Sequence, residues 1–247
     1  MTARFIRNVL LKGLLLFLAI NIAWALVDPG GLGRISAYNS LLRGRERFPF
    51  GENPSESYNL SLYNFEAMFA SHKLDGTPKA ADEFRVFVIG DSSTWGTLLK
   101  PEETLAGLLD AAGLESADGR QVRVYNLGYP TLSLVKDLLV LEAAMRYSPD
   151  LILWPVTLES FPRERQLESP IVANNPQLVR DLVASYDIDI PPPDAAAGLW
   201  QRTIIGQRRD LADLLRLQFY GVMWSATGID QVYPVAYTTA SRDLEAD

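Results

Sequence analysis

The stretch from Phe84 to Gly96, FRVFVIGDSSTWG, constrains the fold more than any other part of the chain. A mainly β-branched apolar run, Val86 to Ile89, ends in Gly90 and Asp91, which are typical turn residues. This pattern predicts a buried central strand with both faces covered. Open α/β sheets place their reactive groups in the turns that follow such strands. Ser92 is therefore a candidate nucleophile. An ordinary strand-to-turn junction is the alternative interpretation of the same residues.

Two further segments repeat this pattern. The alternating segment QVRVYN, Gln121 to Asn126, runs into Gly128, and the apolar segment DLILWPV, Asp150 to Val156, runs into Thr157. Amphipathic helical patterns separate the three predicted strands. One begins at Lys100-Pro101 with Leu105, Leu108, Leu109 and Ala112 as its apolar face, and the other covers Leu134 to Tyr147. Strands that alternate with helices in this way predict a parallel sheet with helices on its faces.

The N-terminus predicts a membrane helix. Arg4 and Arg7 precede an apolar run from about Val9 to Val27, which is about long enough to cross the hydrocarbon core. The positive residues predict that the N-terminus stays in the cytoplasm and that the rest of the chain is exported. Ala23-Trp24-Ala25 has the spacing of a signal-peptide cleavage site, so a cleaved and secreted form is the alternative, and a buried soluble helix is a third. We expect an uncleaved anchor, because the apolar run is longer than most signal-peptide cores.

These patterns divide the chain into three parts. Residues 1–27 are predicted to be the anchor, residues 28–80 a juxtamembrane connector and lead-in, and residues 81–247 an α/β domain. Within this domain, Trp200 to about Phe219 is predicted to be a helix that covers the sheet, with Ile204, Leu211, Leu214, Leu215 and Phe219 on or near one face. A partner-binding or membrane-lying helix is the alternative. Val232 to Thr239 is predicted to form a fourth strand.

The composition excludes several classes of function. The 247-residue chain has no cysteine, so neither disulfides nor thiolate metal ligands are available. Its net charge of −7 argues against nucleic-acid binding. His72 is the only histidine, and it precedes the first predicted strand. We expect no metal and no cofactor, and a protein partner is possible.

The ends of the three predicted strands resemble the conserved blocks of the SGNH, or GDSL-type, hydrolases. Gly90-Asp91-Ser92 resembles the first block, in which the serine is the nucleophile, and Gly128 matches the second-block glycine whose N–H helps to form the oxyanion hole. Pro149-Asp150-Leu151 resembles the approach to the third block. The resemblance implies a flavodoxin-like three-layer α/β sandwich and a serine esterase. Exported, membrane-anchored members of the family act on acyl esters of cell-surface glycans, and such esters are the implied substrates.

The third block departs from the family pattern. Where the family has Gly-x-Asn-Asp, this chain has Thr157-Leu158-Glu159-Ser160. The family asparagine donates an amide N–H to the oxyanion, whereas an ionised Glu159 accepts hydrogen bonds only and repels negative charge. Thr157 offers one hydroxyl donor as a possible compensation. Thr157 and Glu159 are therefore candidate site residues that depart from the family pattern.

The histidine block of the family is absent. The family base lies in an Asp-x-x-His near the C-terminus, but no histidine follows His72 in this chain. A serine without a base is a poor nucleophile near neutral pH. Two explanations remain, a chain cut short of its catalytic end or a non-catalytic relative. We expect the first, because the chain stops just after the predicted fourth strand. The second would make the protein a scaffold or glycan-binding module held at the membrane.

Overall fold

The computed structural model describes residues 2–26, 32, 35–47, 52–53, 65–97, 99–191, 193 and 198–232. Its centre is a parallel sheet of three strands in the order β2-β1-β3, where β1 is Glu83–Val88, β2 is Gln121–Asn126 and β3 is Leu151–Leu153. Val86 of the central strand pairs with residues of both neighbours. The mixed α/β fold with a parallel sheet is therefore confirmed.

The side chains of β1 alternate between two apolar layers. Phe87 and Ile89 belong to the larger core, whereas Val86 and Val88 belong to a smaller core on the opposite face. All four are almost fully buried, as expected for a central strand. The strand begins at Glu83, earlier than the apolar run, because the buried Arg85 side chain forms an ion pair with Glu83 and donates to backbone carbonyls.

Helices cover both faces of the sheet. The described helices around it are α3 (Phe65–Ala70), α4 (Ser92–Trp95), α5 (Leu105–Ala111), α6 (Leu134–Ala144), α7 (Pro170–Ala173) and α8 (Pro176–Tyr186). Residues of α3, α6, α7 and α8 contribute to the larger core, whereas α5 contributes Ala106 to the smaller one. Short 3₁₀ helices lie at Pro101–Glu103, Met145–Tyr147, Leu158–Ser160, Arg163–Arg165 and Ile229–Gln231.

Helix α5 differs from the sequence prediction. The Lys100-Pro101 segment forms a 3₁₀ turn, and the α-helix starts only after Thr104, whose hydroxyl accepts from the Gly107 N–H. The predicted apolar face is wrong in part, because Leu105 and Leu108 are exposed. The helix is rotated so that Asp110 accepts a hydrogen bond from the Val124 N–H of β2. This bond satisfies a backbone donor beside which the described residues place no further strand.

The remaining described helices are α1 (Ala3–Ala25), α2 (Ala37–Leu41) and α9 (Arg208–Thr227). Helix α1 is long and apolar enough to span a membrane or to be a signal sequence, and its apolar side chains are largely exposed. Helix α9 packs against α2, where Leu214 and Leu217 contact Tyr38. The prediction that this helix covers the sheet is therefore wrong. It also starts later than Trp200, and Leu215 and Phe219 point away from its packed side.

Several sequence predictions fall outside the described residues. They include Val27 at the end of the apolar run, most of the predicted connector before α3, and the predicted fourth strand beyond Val232. Where the 28–80 segment is described, it is more than a linker, because α3 places Phe65, Met68 and Phe69 in the larger core.

Candidate functional site

Ser92 lies at the carboxyl edge of the sheet. It is the first residue of α4 and follows β1 after a short turn, as the sequence predicts. Its side chain is half-buried. Neither its hydroxyl nor its backbone N–H donates a hydrogen bond to any of the described residues. Ser92 therefore presents, at the rim where the three strands end, two donors that no described residue uses.

Asp91 organises the turn beside Ser92. Its buried carboxylate caps α4, because Oδ1 accepts hydrogen bonds from the Ser93 N–H at 2.9 Å and from the Ser93 hydroxyl at 2.7 Å. Its Oδ2 accepts from the hydroxyl of Thr157, which follows β3, at 3.2 Å. Burial raises the pKa of Asp91, but the bonds from Ser93 and Thr157 and the charge of Lys136 outweigh this, so the pKa lies below its usual value. Asp91 is thus an ionised link between two strand ends.

Gly128 packs directly against α4. A Cβ at this position would lie 2.4 Å from the Trp95 nitrogen, so only glycine allows the backbones to approach this closely. The Gly128 N–H, which the resemblance assigns to the oxyanion hole, donates to the Asn126 side-chain Oδ1 at 2.9 Å. Asn126 also donates to the Thr94 carbonyl. The Gly128 N–H is therefore near the Ser92 helix but already has an acceptor.

The third strand end brings Thr157 to the site but leaves Glu159 at its margin. Thr157 is exposed, and its hydroxyl is used by Asp91 and lies 3.3 Å from the Ser160 hydroxyl. Glu159 is exposed in the 3₁₀ turn after Thr157 and makes no hydrogen bond or ion pair to the described residues. Thr157 thus acts as a donor toward Asp91, and the third strand end supplies a solvated acid where the family pattern has an amide.

A buried ion pair lies behind the loops that form the site and binds their backbone. Lys136, on the first turn of α6, is fully buried, and its ammonium donates to the carbonyls of Gly90 at 2.8 Å and Tyr129 at 3.1 Å. It forms an ion pair with Asp137, which accepts from the Trp154 indole at 3.0 Å. Burial lowers the pKa of Lys136 and raises that of Asp137. The pair connects the ends of β1, β2 and β3.

His72 lies near the amino-terminal ends of the strands, opposite the carboxyl ends that carry Ser92. It lines a cavity of about 840 Å³ together with Glu83, the first residue of β1, and its ring lies 6.4 Å from that of Phe69, which packs on Tyr147 before the start of β3. It is buried, with Nδ1 3.7 Å from Glu52. Because strand residues rise about 3.3 Å each, the turns beyond the two ends of β1 lie on the order of 20 Å apart. His72 is therefore out of reach of Ser92 within this fold.

Sequence reasoning missed Lys136, Asp137 and Asn126 as parts of this site. One signal was present, because a lysine in the first turn of a helix is unfavourable next to the positive end of the helix dipole. Such a position is explained when the ammonium has specific acceptors, as Lys136 has here. Among the described residues, no three His, Asp or Glu side chains converge in a way that could hold a metal ion.

The geometry thus brings Ser92, Asp91, Gly128 and Thr157 to one rim, leaves Glu159 exposed at its margin and leaves His72 at the far edge. Searches of family models, of curated proteins and of solved structures found no match to this chain.

Proposed function

We propose that this protein is a membrane-anchored serine esterase of the SGNH type, with a flavodoxin-like sheet, acting on acyl esters of cell-surface glycans. One observation carries the proposal: at the carboxyl edge of a parallel sheet, both donors of Ser92 are left unused by the described residues. This edge is where open α/β sheets bind their ligands. The resemblance of Gly90-Asp91-Ser92 to the family's first block adds to it.

In this mechanism the Ser92 oxygen attacks the ester carbonyl carbon, and the tetrahedral intermediate collapses with release of the alcohol, which carries away the proton lost by Ser92. Water then hydrolyses the acyl–Ser92 ester, which frees the acid and restores the serine. The Ser92 N–H is available to the oxyanion without any rearrangement. The Gly128 N–H becomes available only if it exchanges Asn126 for the oxyanion. Each such donor is worth about 10²–10³ in turnover.

The Ser92 proton requires a base that the described residues do not place beside it. Asp91 is ionised, but its oxygens accept from Ser93 and Thr157. A base from outside the described residues, or from a partner chain, would complete the mechanism. Without one, turnover falls by several orders of magnitude.

A scaffold or glycan-binding module is the second candidate. It is favoured by the distance of His72 from Ser92 and by the engaged Gly128 N–H. The exposed Glu159 also favours it, because an ionised carboxylate at the rim opposes an oxyanion. The two candidates share the same fold and anchor and differ in whether Ser92 reacts.

Chemical rescue separates the two candidates. The full chain in detergent is assayed on an activated acyl ester with and without added imidazole, and the rate of Ser92→Ala is subtracted to remove hydrolysis by imidazole itself. We expect almost no Ser92-dependent rate without imidazole and an increase of about tenfold or more with it. Ser225→Ala, at a serine on α9 away from the rim, serves as the control and keeps the rescue.

Two outcomes would change this conclusion. If there is no Ser92-dependent rate under either condition, and a fluorophosphonate does not label Ser92, the scaffold candidate replaces the esterase. Strong Ser92-dependent hydrolysis without imidazole would mean that a base already reaches Ser92.

We also propose that α1 anchors the protein, with Arg4 and Arg7 in the cytoplasm and the α/β domain outside. The length and exposed apolar surface of α1 and the positive charges before its apolar run support this topology. Protease added to intact spheroplasts should digest the domain. Full protection of the domain while the membrane is sealed would contradict this topology.

A further inference from the structure

The outer side of α9 carries a row of exposed apolar side chains. Leu215 is 60% exposed, Phe219 68% and Met223 59%. These residues are spaced four apart, so they lie on one side of the helix above one another. Three large apolar side chains in one row form a coherent apolar surface and not a set of scattered exposed residues.

The other side of α9 packs against α2 and the residues just before it. Leu214 and Leu217 pack on Tyr38 of α2, and Gln218 accepts a hydrogen bond from the Ala37 N–H and donates to the Ile35 carbonyl. The outer row therefore points away from α2, against which the inner side of α9 is held. Among the described residues, nothing covers it.

The start of α9 is attached to the end of α1. The Trp24 indole donates to Gln207, the N-cap of α9, at 2.9 Å, and the Ile205 N–H donates to the Asn21 side chain at 3.3 Å. Asn21 and Trp24 lie in the last turn and a half of α1. Helix α9 does not pack along α1 within the described part of the chain. It therefore departs from the point at which an anchoring α1 would leave the membrane.

The residues around the row are those found at membrane interfaces. Arg208 and Arg209 are exposed in the first turn of α9, and Arg216, 58% exposed, flanks the row and pairs with Asp213. Tyr220 and Trp224 stack on one flank, with ring centroids 6.1 Å apart. Arginines suit anionic head groups, and amphipathic aromatic rings are enriched at the level of the head groups.

From these observations we propose that α9 lies in the surface of the same membrane that α1 crosses, with Leu215, Phe219 and Met223 in the acyl boundary. The inference rests on the proposed anchoring by α1 but not on the proposed esterase chemistry. It gives the protein two membrane contacts, an inserted helix and a helix lying in the interface, joined by the hydrogen bonds of Asn21 and Trp24. The end of α1 and the start of α9 then form one membrane-bound unit.

The absence of native cysteine allows a direct test. Single-cysteine variants of the full chain, Leu215→Cys, Phe219→Cys and Met223→Cys, are labelled with an environment-sensitive fluorophore. They are reconstituted in phosphatidylcholine/phosphatidylglycerol vesicles with or without doxyl-labelled lipid. We expect blue-shifted emission at all three positions and quenching by the doxyl lipid of about twofold or more, as for side chains in the acyl boundary. Asp118→Cys, an exposed position on the α/β domain, is the matched control and should show neither effect.

Leu15→Cys, in the middle of α1, tests the anchor in the same assay. If its label is quenched and that of Phe219→Cys behaves like the Asp118→Cys control, the inference about α9 is overturned while the anchor stands. If the label at Leu15 is not quenched, the anchoring proposal fails, and the inference about α9 fails with it. Blue-shifted emission at position 219 without doxyl quenching would show that protein, for example a second copy, covers the row, and this result also overturns the inference.

Discussion

The ammonium of Lys136 donates a 2.8 Å hydrogen bond to the carbonyl of Gly90. This bond attaches α6 to the residue that precedes the Asp91-Ser92 turn. Because the same ammonium also binds the Tyr129 carbonyl, one buried side chain holds the loops that present Ser92 and Gly128. The arrangement of the rim therefore depends on a residue that is inaccessible to any substrate.

We expect Lys136→Met to destabilise the protein by about 3 kcal/mol, because it leaves Asp137 buried without its ion-pair partner. Denaturant unfolding monitored by tryptophan fluorescence measures this loss. Lys73→Met, at an exposed lysine, is the control and should change the unfolding free energy by less than about 0.5 kcal/mol. Equal effects of the two substitutions would contradict a structural role for the buried pair.

Gly128→Ala should destabilise the protein by about 1–3 kcal/mol, because the new Cβ would collide with the α4 backbone at Trp95. It should also reduce any Ser92-dependent rate, since α4 must shift to relieve the contact. Gly198→Ala is the matched control, because a Cβ there would meet its nearest neighbour, the Gln201 side chain, at an ordinary 3.5 Å. An unchanged unfolding free energy for Gly128→Ala would mean that the rim is less closely packed than described.

Asp150 should contribute stability that is lost in acid. It forms ion pairs with Lys79 and Arg120 and accepts from the Arg85 N–H. Burial raises the pKa of Asp150, but these partners outweigh it and hold the pKa well below its usual value. A lowered folded-state pKa gives stability that is present above the unfolded pKa of about 4 and is lost as the pH falls below it.

We therefore expect Asp150→Asn to cost about 1 kcal/mol at neutral pH, a modest value because these pairs are partly exposed. The difference from the wild type should shrink as the pH falls below about 4. Unfolding by denaturant across this range measures both effects. A deficit that is independent of pH would show that the charge of Asp150 is not the cause.

Tyr38 should lose its proton only in strong alkali. Burial, and then the hydrogen bond of 2.6 Å to the buried carboxylate of Asp230, raise its pKa to about 12. The raised pKa gives stability that is fully present below the unfolded pKa of about 10 and is lost as the pH rises toward 12.

The difference between the tyrosinate absorbance titrations of wild type and Tyr38→Phe measures this group. The titration step that is present in the wild type and absent in Tyr38→Phe should lie near pH 12. Tyr186→Phe, which removes an exposed tyrosine elsewhere on the protein, is the control for the loss of one phenol group and should leave the step near pH 12 in place. A Tyr38 step at the ordinary value would mean that α2 is not bonded through Asp230 to the 3₁₀ turn that follows α9.

The local patterns of the sequence predicted the three described strands, although β3 covers only Leu151–Leu153 of the predicted segment. Val86, Phe87, Val88 and Ile89 form a continuous apolar run, and such a run between turn residues needs both faces covered whatever the rest of the chain does. The alternation of QVRVYN predicted β2 with its correct bounds. The position of Ser92 just beyond β1 followed from the same reasoning, because a turn after a parallel strand lies at the carboxyl edge.

The tertiary structure decided which partners these residues have. No local pattern indicated that the Gly128 N–H would bind Asn126, that Lys136 would be buried among carbonyls, or that His72 would lie at the far edge from Ser92. It also decided that α9 packs on α2, which turned Leu215 and Phe219 outward. Apolar periodicity identifies an amphipathic helix but does not determine which other element packs on its apolar face. Hydrogen-bond partners of buried polar groups are set by long-range packing, because their donors and acceptors come from segments far apart in the chain.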